Sequence, residues 1–306
     1  MDNIHPRRYY RNFGRSLYDL FWYHLLPDEW SIAHDFNKNK KMGYKLNLKN
    51  PQTFNEKIQW IKLHDHNPLY PKLIDKIAVK EVIAKEFGSE YVIPMIVGPY
   101  RHFDEIPLSD LPERFVIKCN HDAASTIVCK NKSELDIDVC RKKIDMSLST
   151  NYYNSYGKQW AYKDIKPKVF VEKFMQNKDD EDLKDYKFLF FGKECKAIFV
   201  YSDRRAKSGL KMNAYDCEWK KLPFTRHYPN TDCDIPKPKN FDKMLEFANK
   251  LAAFVNNAFV RIDLYDINDS IYFGEFTFYP GNGFEDFNPV EWDYTLGSWI
   301  DVPFKS

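Results

Sequence analysis

The chain has 306 residues, enough for two or three packed layers or small domains, each with its own core. Hydrophobic residues make up 43% and charged residues 29%, an ordinary globular balance. Lys and Arg total 46 against 44 Asp and Glu, so the formal charge of +2 lacks the basic excess of a general nucleic-acid binder, and no nucleic-acid partner is expected.

The aromatic share is high at 17%, and 20 Tyr with 24 Phe can fill cores or line a cleft for a planar base or sugar ring. Cys119, Cys129, Cys140, Cys195, Cys217 and Cys233 have neither zinc-knuckle nor redox-pair spacing, and read as small buried hydrophobes in a reducing compartment. No cleavage pattern follows the basic start MDNIHPRRYYRNFGR, and no apolar run approaches the ~20 residues that span a bilayer. The expectation is a cytoplasmic chain.

In chain order, Leu17, Leu20, Phe21, His24 and Leu25 recur at helical spacing. With Arg7, Arg8, Arg11 and Arg15 nearby, this reads either as an amphipathic helix packed on the protein body or as a membrane-surface helix giving weak peripheral association. Thr53 with Glu56 three residues on forms a capping box, so a helix starts there and stops before Pro68. Residues 71–87 read as one further helix ended by Gly88, and YVIPMIVG as a short strand broken at Pro94. Residues 1–100 are thus expected to be mainly helical.

The middle turns to β-structure. RFVIKC (114–119) and STIVCK (125–130) are short strands around the polar loop NHDAA, and a helix follows at 135–149. KVFVEKF (168–174) is a strand, and DYKFLFF and CKAIFVY form a hairpin around Gly192-Lys193. FDKMLEFANKLAAFVNNA is a helix with apolar residues at three-and-four spacing. AFVRIDLYDI and SIYFGEFTFYP pair across Asn268-Asp269.

That last hairpin carries the chemistry. Asp263 and Glu275 sit in otherwise apolar strands, and two such carboxylates need a cation to offset desolvation and mutual repulsion. Magnesium held by one or two carboxylates plus nucleotide phosphates is one arrangement; the other is that both face water on a half-exposed sheet. Arg261 shares a strand face with Asp263 and suits a phosphoryl group, or a salt bridge to the acids. Lys118 closes an apolar strand beside the glycine-free loop His121 to Ser125, where it can reach phosphates. Glu172-Lys173 ends a strand where two lobes could meet, and Asp185 and Lys187 share a face of the next; each also reads as surface charge. Arg204, Arg205, Lys207 and Lys211 form a basic loop, either solvated or a phosphate-closing lid.

The order of these pieces resembles the ATP-grasp superfamily, and most closely its TupA-like branch, named for teichuronopeptide biosynthesis. NPQTFNEKIQW, DKIAVKE, FVIKCNHDAAS, VEKF, DYKFLFFGK, VRIDLYDI and YFGEFTFYPGNGFE carry the resemblance, over about residues 50–297. It implies an α+β ATP-grasp fold: a helical N-terminal region (1–100), a central lobe with the phosphate-covering lid (101–174) and a C-terminal lobe with metal-binding strands (175–306). It implies ATP and Mg2+ as cofactors. Lys118 would hold the α/β-phosphates with His121 and Ser125 of the covering loop, and Glu172 and Lys173 would meet the adenine, with Asp185 and Lys187 nearby. Asp263 and Glu275 would bind magnesium, with Thr277 where relatives carry a third ligand, Asn. Arg261 would steady the transferred phosphoryl group, and Arg204 and Lys211 would complete the catalytic set. Asp122, Ala123 and Ala124 stand where relatives have a glycine-rich loop.

The implied activity is a carboxylate–amine ligase that works through an acylphosphate. Its partners would be ATP, an amine, and a carboxylate-bearing sugar or peptide of bacterial surface polysaccharide. A glycosyltransferase of the same pathway and a non-catalytic nucleotide- or glycan-binding module are the alternatives.

Overall fold

The computed structural model describes residues 27–155, 157–178, 183–202 and 209–303. The amphipathic N-terminal stretch and Arg204 lie outside the described residues.

Helix α1 spans Asp28–Lys38, and α2 spans Phe54–His64. The capping box at the start of α2 is formed: Glu56 N donates to Thr53 Oγ1, and Thr53 N to Glu56 Oε2, both at 3.1 Å. The single helix expected over 71–87 is instead two, α3 (Tyr70–Ile74) and α4 (Ala78–Glu86). Asp75 causes the break. Its Oδ1 accepts from the backbone N–H of Ile77 at 2.8 Å and of Ala78 at 3.2 Å, capping a new helix start.

Two antiparallel sheets follow. Strands β1 (Met95–Tyr100), β2 (Phe115–Cys119), β3 (Ile127–Cys129) and β4 (Val169–Lys173) form the smaller one, in the order β1-β4-β2-β3. Helix α5 (Ile137–Leu148) packs on β2. Residues 95–100, grouped by sequence with the helical N-terminal region, therefore belong to this sheet, because β1 supplies the partner for β4.

The larger sheet has the order β10-β9-β5-β6-β7, from β5 (Asp185–Phe191), β6 (Glu194–Ser202), β7 (Lys211–Tyr215), β9 (Phe259–Ile267) and β10 (Ser270–Thr277). A two-stranded ribbon joins β8 (Thr225–Arg226) to β11 (Phe287–Asn288). Helix α6 (Phe241–Val255) buries Phe241, Met244, Phe247, Ala248, Leu251, Ala252 and Val255 along one stripe against β5 and β9. It stops three residues before the expected end because Asn256 turns left-handed, with φ 49°. Helix α7 (Glu291–Ser298) closes the described chain.

Two hydrophobic clusters result. One runs from Phe103 to Val171 around the smaller sheet; the other joins α2, α3 and α4 to the larger sheet and α6. The N-terminal helices thus share a core with the C-terminal strands.

A polar face of α2 adds to that union. Asn55, Gln59 and Lys62, at i, i+4 and i+7, line up on the loop 280–285. Asn55 Nδ2 donates to Glu285 O at 2.9 Å, Gln59 Nε2 to Gly283 O at 2.9 Å, and Lys62 Nζ to Asn282 Oδ1 at 2.9 Å. Gly283 has φ +69°, and a Cβ there would come within 2.6 Å of Gln59 Nε2, so glycine is required. The motifs NEKIQW and YPGNGFE are two halves of one contact.

Candidate active site

The first wall of the site comes from the smaller sheet and α4. Lys118 on β2 is ion-paired to Glu172 Oε1 on β4, and Lys80 Nζ stands 3.1 Å from Glu172 Oε2. Lys80 also donates to Ile93 O at 2.7 Å. Burial pushes the Glu172 carboxyl up, but the charges of Lys118 and Lys80 outweigh it and hold the group below the usual range. Burial lowers the Lys80 ammonium, opposed by Glu172.

The second wall is the larger sheet. Its register sets Lys187, Asp263 and Glu275 side by side on three strands, with Leu189, Arg261 and Thr277 as the next row. Glu275 reaches this face because of a bulge. Phe273 pairs with Leu264 and Glu275 with Asp263, leaving Gly274 as the extra residue. Without it, Glu275 would fall on the opposite face. A Cβ on Gly274 would meet Asp263 O at 2.9 Å, so the bulge needs glycine.

Arg261 forks across both acids. Its Nε donates to Asp263 Oδ1 at 2.7 Å; its Nη2 donates to Asp263 Oδ2 at 2.8 Å and to Glu275 Oε1 at 2.7 Å. Nη1 takes none of these bonds. Lys187 is ion-paired to Asp263 Oδ2, and Asp185 Oδ2 lies 3.9 Å from Lys187 Nζ. Burial raises the Asp263 carboxyl, yet Arg261 and Lys187 together hold it below the usual range. Arg261 is disfavoured by burial but raised overall by Asp263 and Glu275. The charge-assisted fork fixes both carboxylates before any ligand arrives.

Between the walls lies a cavity of about 350 Å³. Lys76, Lys80, Lys118 and Lys187 line it with Glu172, Asp185, Asp263 and Glu275, and Val79, Val92, Ile93, Tyr265 and Phe273 give it apolar surface. Clefts of this size with a few convergent polar groups are ordinary small-molecule sites.

Of the expected site residues, the structure brings together Lys118, Glu172, Asp185, Lys187, Asp263 and Glu275 on the cavity, with Arg261 bridging the acids. Thr277 Oγ1 donates to Glu275 Oε1 at 3.1 Å and supports that carboxylate. Lys173 is exposed and, by strand alternation, faces away from Glu172. Lys211 corrects an expectation. It pairs with Ser202, and the register sets both on the face opposite Lys187, so strand alternation turns Lys211 away from the cavity. The side chains of His121 and Ser125 bond the elements that flank their loop: Ser125 Oγ accepts from Cys119 N of β2 at 2.9 Å, and His121 Nε2 bonds Ser147 O of α5 at 3.0 Å.

Sequence reasoning missed Lys76 and Lys80. Both belong to DKIAVKE at i, i+4 spacing, and the helix break at Asp75 docks Lys76 N on Asn120 O at 3.0 Å, at the start of the loop between β2 and β3. Arg226 and Glu285 were missed too. Arg226 Nε is ion-paired to Glu285, His227 Nε2 lies 2.7 Å from the same carboxylate, and Arg226 Nη1 donates to Tyr201 Oη at 2.7 Å. The signal was Glu285, the one charged residue of YPGNGFE.

Two antiparallel sheets holding a lysine-and-carboxylate cavity between them define an α+β protein of the ATP-grasp fold. Residues 56–301 match the model of the family TupA-like ATPgrasp, and the chain belongs to that family. No curated protein matches it. Among solved structures it is similar to D-alanine–D-alanine ligase from Helicobacter pylori, at 15% identity, TM-score 0.43, covering 81% of this chain and 69% of that one. It is also similar to D-alanine–D-alanine ligase from Bacillus anthracis, at 14% identity, TM-score 0.38, covering 67% and 56%. L-amino acid ligase from Bacillus licheniformis gives 9% identity, TM-score 0.44, covering 75% and 49%. The chain spans between about half and about two thirds of the lengths of these three proteins. No described helix is long and apolar enough to cross a membrane.

Proposed function

We propose that this chain is an ATP-dependent carboxylate–amine ligase, forming an amide through an acylphosphate. One observation carries the reading: a lysine wall and an Arg261-forked pair of carboxylates face each other across a single cavity. ATP lies between the β2–β3 and β9–β10 hairpins. Its phosphates meet Lys76 and Lys118, and its adenine lies near the end of β4, beside Glu172, Val92 and Ile93.

Asp263 and Glu275 fit a magnesium ion. They are direct cross-strand partners on one face, and the Glu275 side chain is 38% exposed toward the cavity. Among the described residues no three His, Cys, Asp or Glu side chains converge, so water and phosphate oxygens would complete the shell, as is usual for magnesium. The ion, when bound, would neutralise phosphate charge. The chain's own residues do the rest. Glu172 holds Lys118 and Lys80 in place, and Arg261 keeps both carboxylates aligned while offering Nη1 to the transferred phosphoryl group. Attack by the acceptor carboxylate on the γ-phosphorus releases ADP; attack by the amine on the acylphosphate carbon then releases phosphate.

The acceptor is a uronic acid or acidic peptide of bacterial surface polysaccharide, and the amine an amino acid or amino-alcohol. The enzyme works in the cytoplasm, at or near the inner face of the membrane. ADP release against a panel of uronic acids and amines tests the class. With the acceptor carboxylate labelled with heavy oxygen, one labelled oxygen should appear in the released phosphate. Full retention of the label in the product, or release of AMP, would overturn the proposal.

A further inference from the structure

The loop between β2 and β3 borders the nucleotide cavity through Ala123 and Thr126. It contains no glycine, and it is tied down on both sides. Asp122 is 7% exposed, and its two carboxylate oxygens are both used: Oδ1 accepts from Ser125 Oγ at 2.6 Å, and Oδ2 from Ser147 Oγ on α5 at 2.7 Å. Ser125 Oγ in turn accepts from Cys119 N at the end of β2. Lys143, also on α5, donates to Thr126 O at 2.7 Å. From the other side Lys76 donates to the Asp122 carbonyl.

A loop ordered only on binding loses affinity to its own ordering; a loop ordered beforehand does not. Asp122 supplies that order here. It links the loop's tip to its own far end, through Ser125, and to the helix beneath, through Ser147. The neighbouring Lys76 and Lys118 identify the phosphate end of the cavity as the part the loop covers.

We propose that Asp122 is a positioning residue for the nucleotide phosphates, holding the β2–β3 loop against α5 in its binding-competent shape before the nucleotide arrives. The proposal rests on the nucleotide reading above. It differs from a purely structural role in what it affects: contacts to the outer phosphates depend on Asp122, whereas contacts to the base, ribose and first phosphate do not.

The test is titration calorimetry of the full chain with ATP and with AMP, each in the presence of magnesium. Asp122→Ala is expected to weaken ATP roughly tenfold or more and to leave AMP within about twofold. Ser147→Ala removes one of the two anchors and is expected to weaken ATP by about threefold. Asp122→Asn keeps an acceptor and should recover part of the loss. ATP affinity unchanged in Asp122→Ala, or ATP and AMP weakened equally, overturns the proposal and leaves the nucleotide site standing. Should Asp122→Ala not fold, Ser147→Ala and Asp122→Asn carry the same ATP-to-AMP comparison. Failure of the unaltered chain to bind ATP overturns the nucleotide reading itself, and this proposal with it.

Discussion

Replacing Lys118 with alanine removes a fixed cation from the end of the cavity proposed to hold the phosphates. In the free protein Lys118 is not waiting in water: it is ion-paired to Glu172, whose other oxygen is 3.1 Å from Lys80. A phosphate must therefore draw Lys118 from a carboxylate. A hydrogen bond to a charged group contributes about 1.5–3 kcal/mol, and the exchange takes the figure to the lower half of that range. At about 1.4 kcal/mol per tenfold, ATP affinity in Lys118→Ala should fall about tenfold to fortyfold. The fold should lose little, about 1 kcal/mol, because Glu172 keeps Lys80 and the Lys118 side chain is 24% exposed and screened. Calorimetric titration with ATP, beside urea denaturation of the same variant, measures both. A dissociation constant within twofold of the unaltered protein would refute the assignment of Lys118 to the phosphates.

Arg261→Lys is expected to lower kcat by about 10²–10³ and to leave the KM for ATP within a few fold, because a point charge cannot span Asp263, Glu275 and the phosphoryl group together; steady-state kinetics with a productive substrate pair decides it. Glu285→Gln leaves Arg226 buried without its counter-charge and should cost about 3–5 kcal/mol in urea denaturation. The Glu285 carboxyl is pushed up by burial, but Arg226 and His227 hold it at about 2. Its stabilisation is therefore complete above the unfolded pKa of about 4.3 and is lost as pH falls from there toward 2, so Glu285→Gln should flatten the acid limb of the stability curve. Burial lowers Lys62 from 10.5 to about 7, so the unfolded chain holds the extra proton between those values and stability should rise with pH across them; Lys62→Met should abolish that rise in denaturation midpoints. Gly274→Ala should cost about 1–3 kcal/mol by thermal unfolding and weaken ATP, since its Cβ crowds Asp263 O and Tyr265.

Local signals in the sequence were read well where a single element carried them. Thr53 and Glu56 announce a helix start by side-chain chemistry, and the α6 stripe is visible as three-and-four spacing. The candidate carboxylates were legible for the same reason: Asp263 and Glu275 are charges in apolar strands. What escaped depends on pairing. Residues 71–87 carry only Asp75 as a sign of two helices, a residue that sits within a helix as well as capping one, and the bond from Asn120 Nδ2 to its Oδ2 at 2.8 Å is not local. That break is what delivers Lys76 to the cavity. Lys211 was misread because a basic loop gives no strand register, and register alone decides which face a residue takes. Gly274 was a missed cue: an isolated glycine within a strand pattern marks a bulge, and this one turns Glu275 toward Asp263.

The clasp between α2 and the loop 280–285 has a bearing on how the chain comes to be folded. Asn55 meets Glu285 across 230 residues and Asp293 across 238. At about 5–20 residues per second, a ribosome needs roughly ten seconds to most of a minute to bring those acceptors into being after the helix has emerged. The smaller sheet closes earlier, since all its strands are complete by Lys173. Vectorial synthesis thus separates the two lobes in time. The half built on the smaller sheet is expected to consolidate first, while the helical segment stays a client for chaperones until the β9–β10 hairpin and its following loop arrive to receive it.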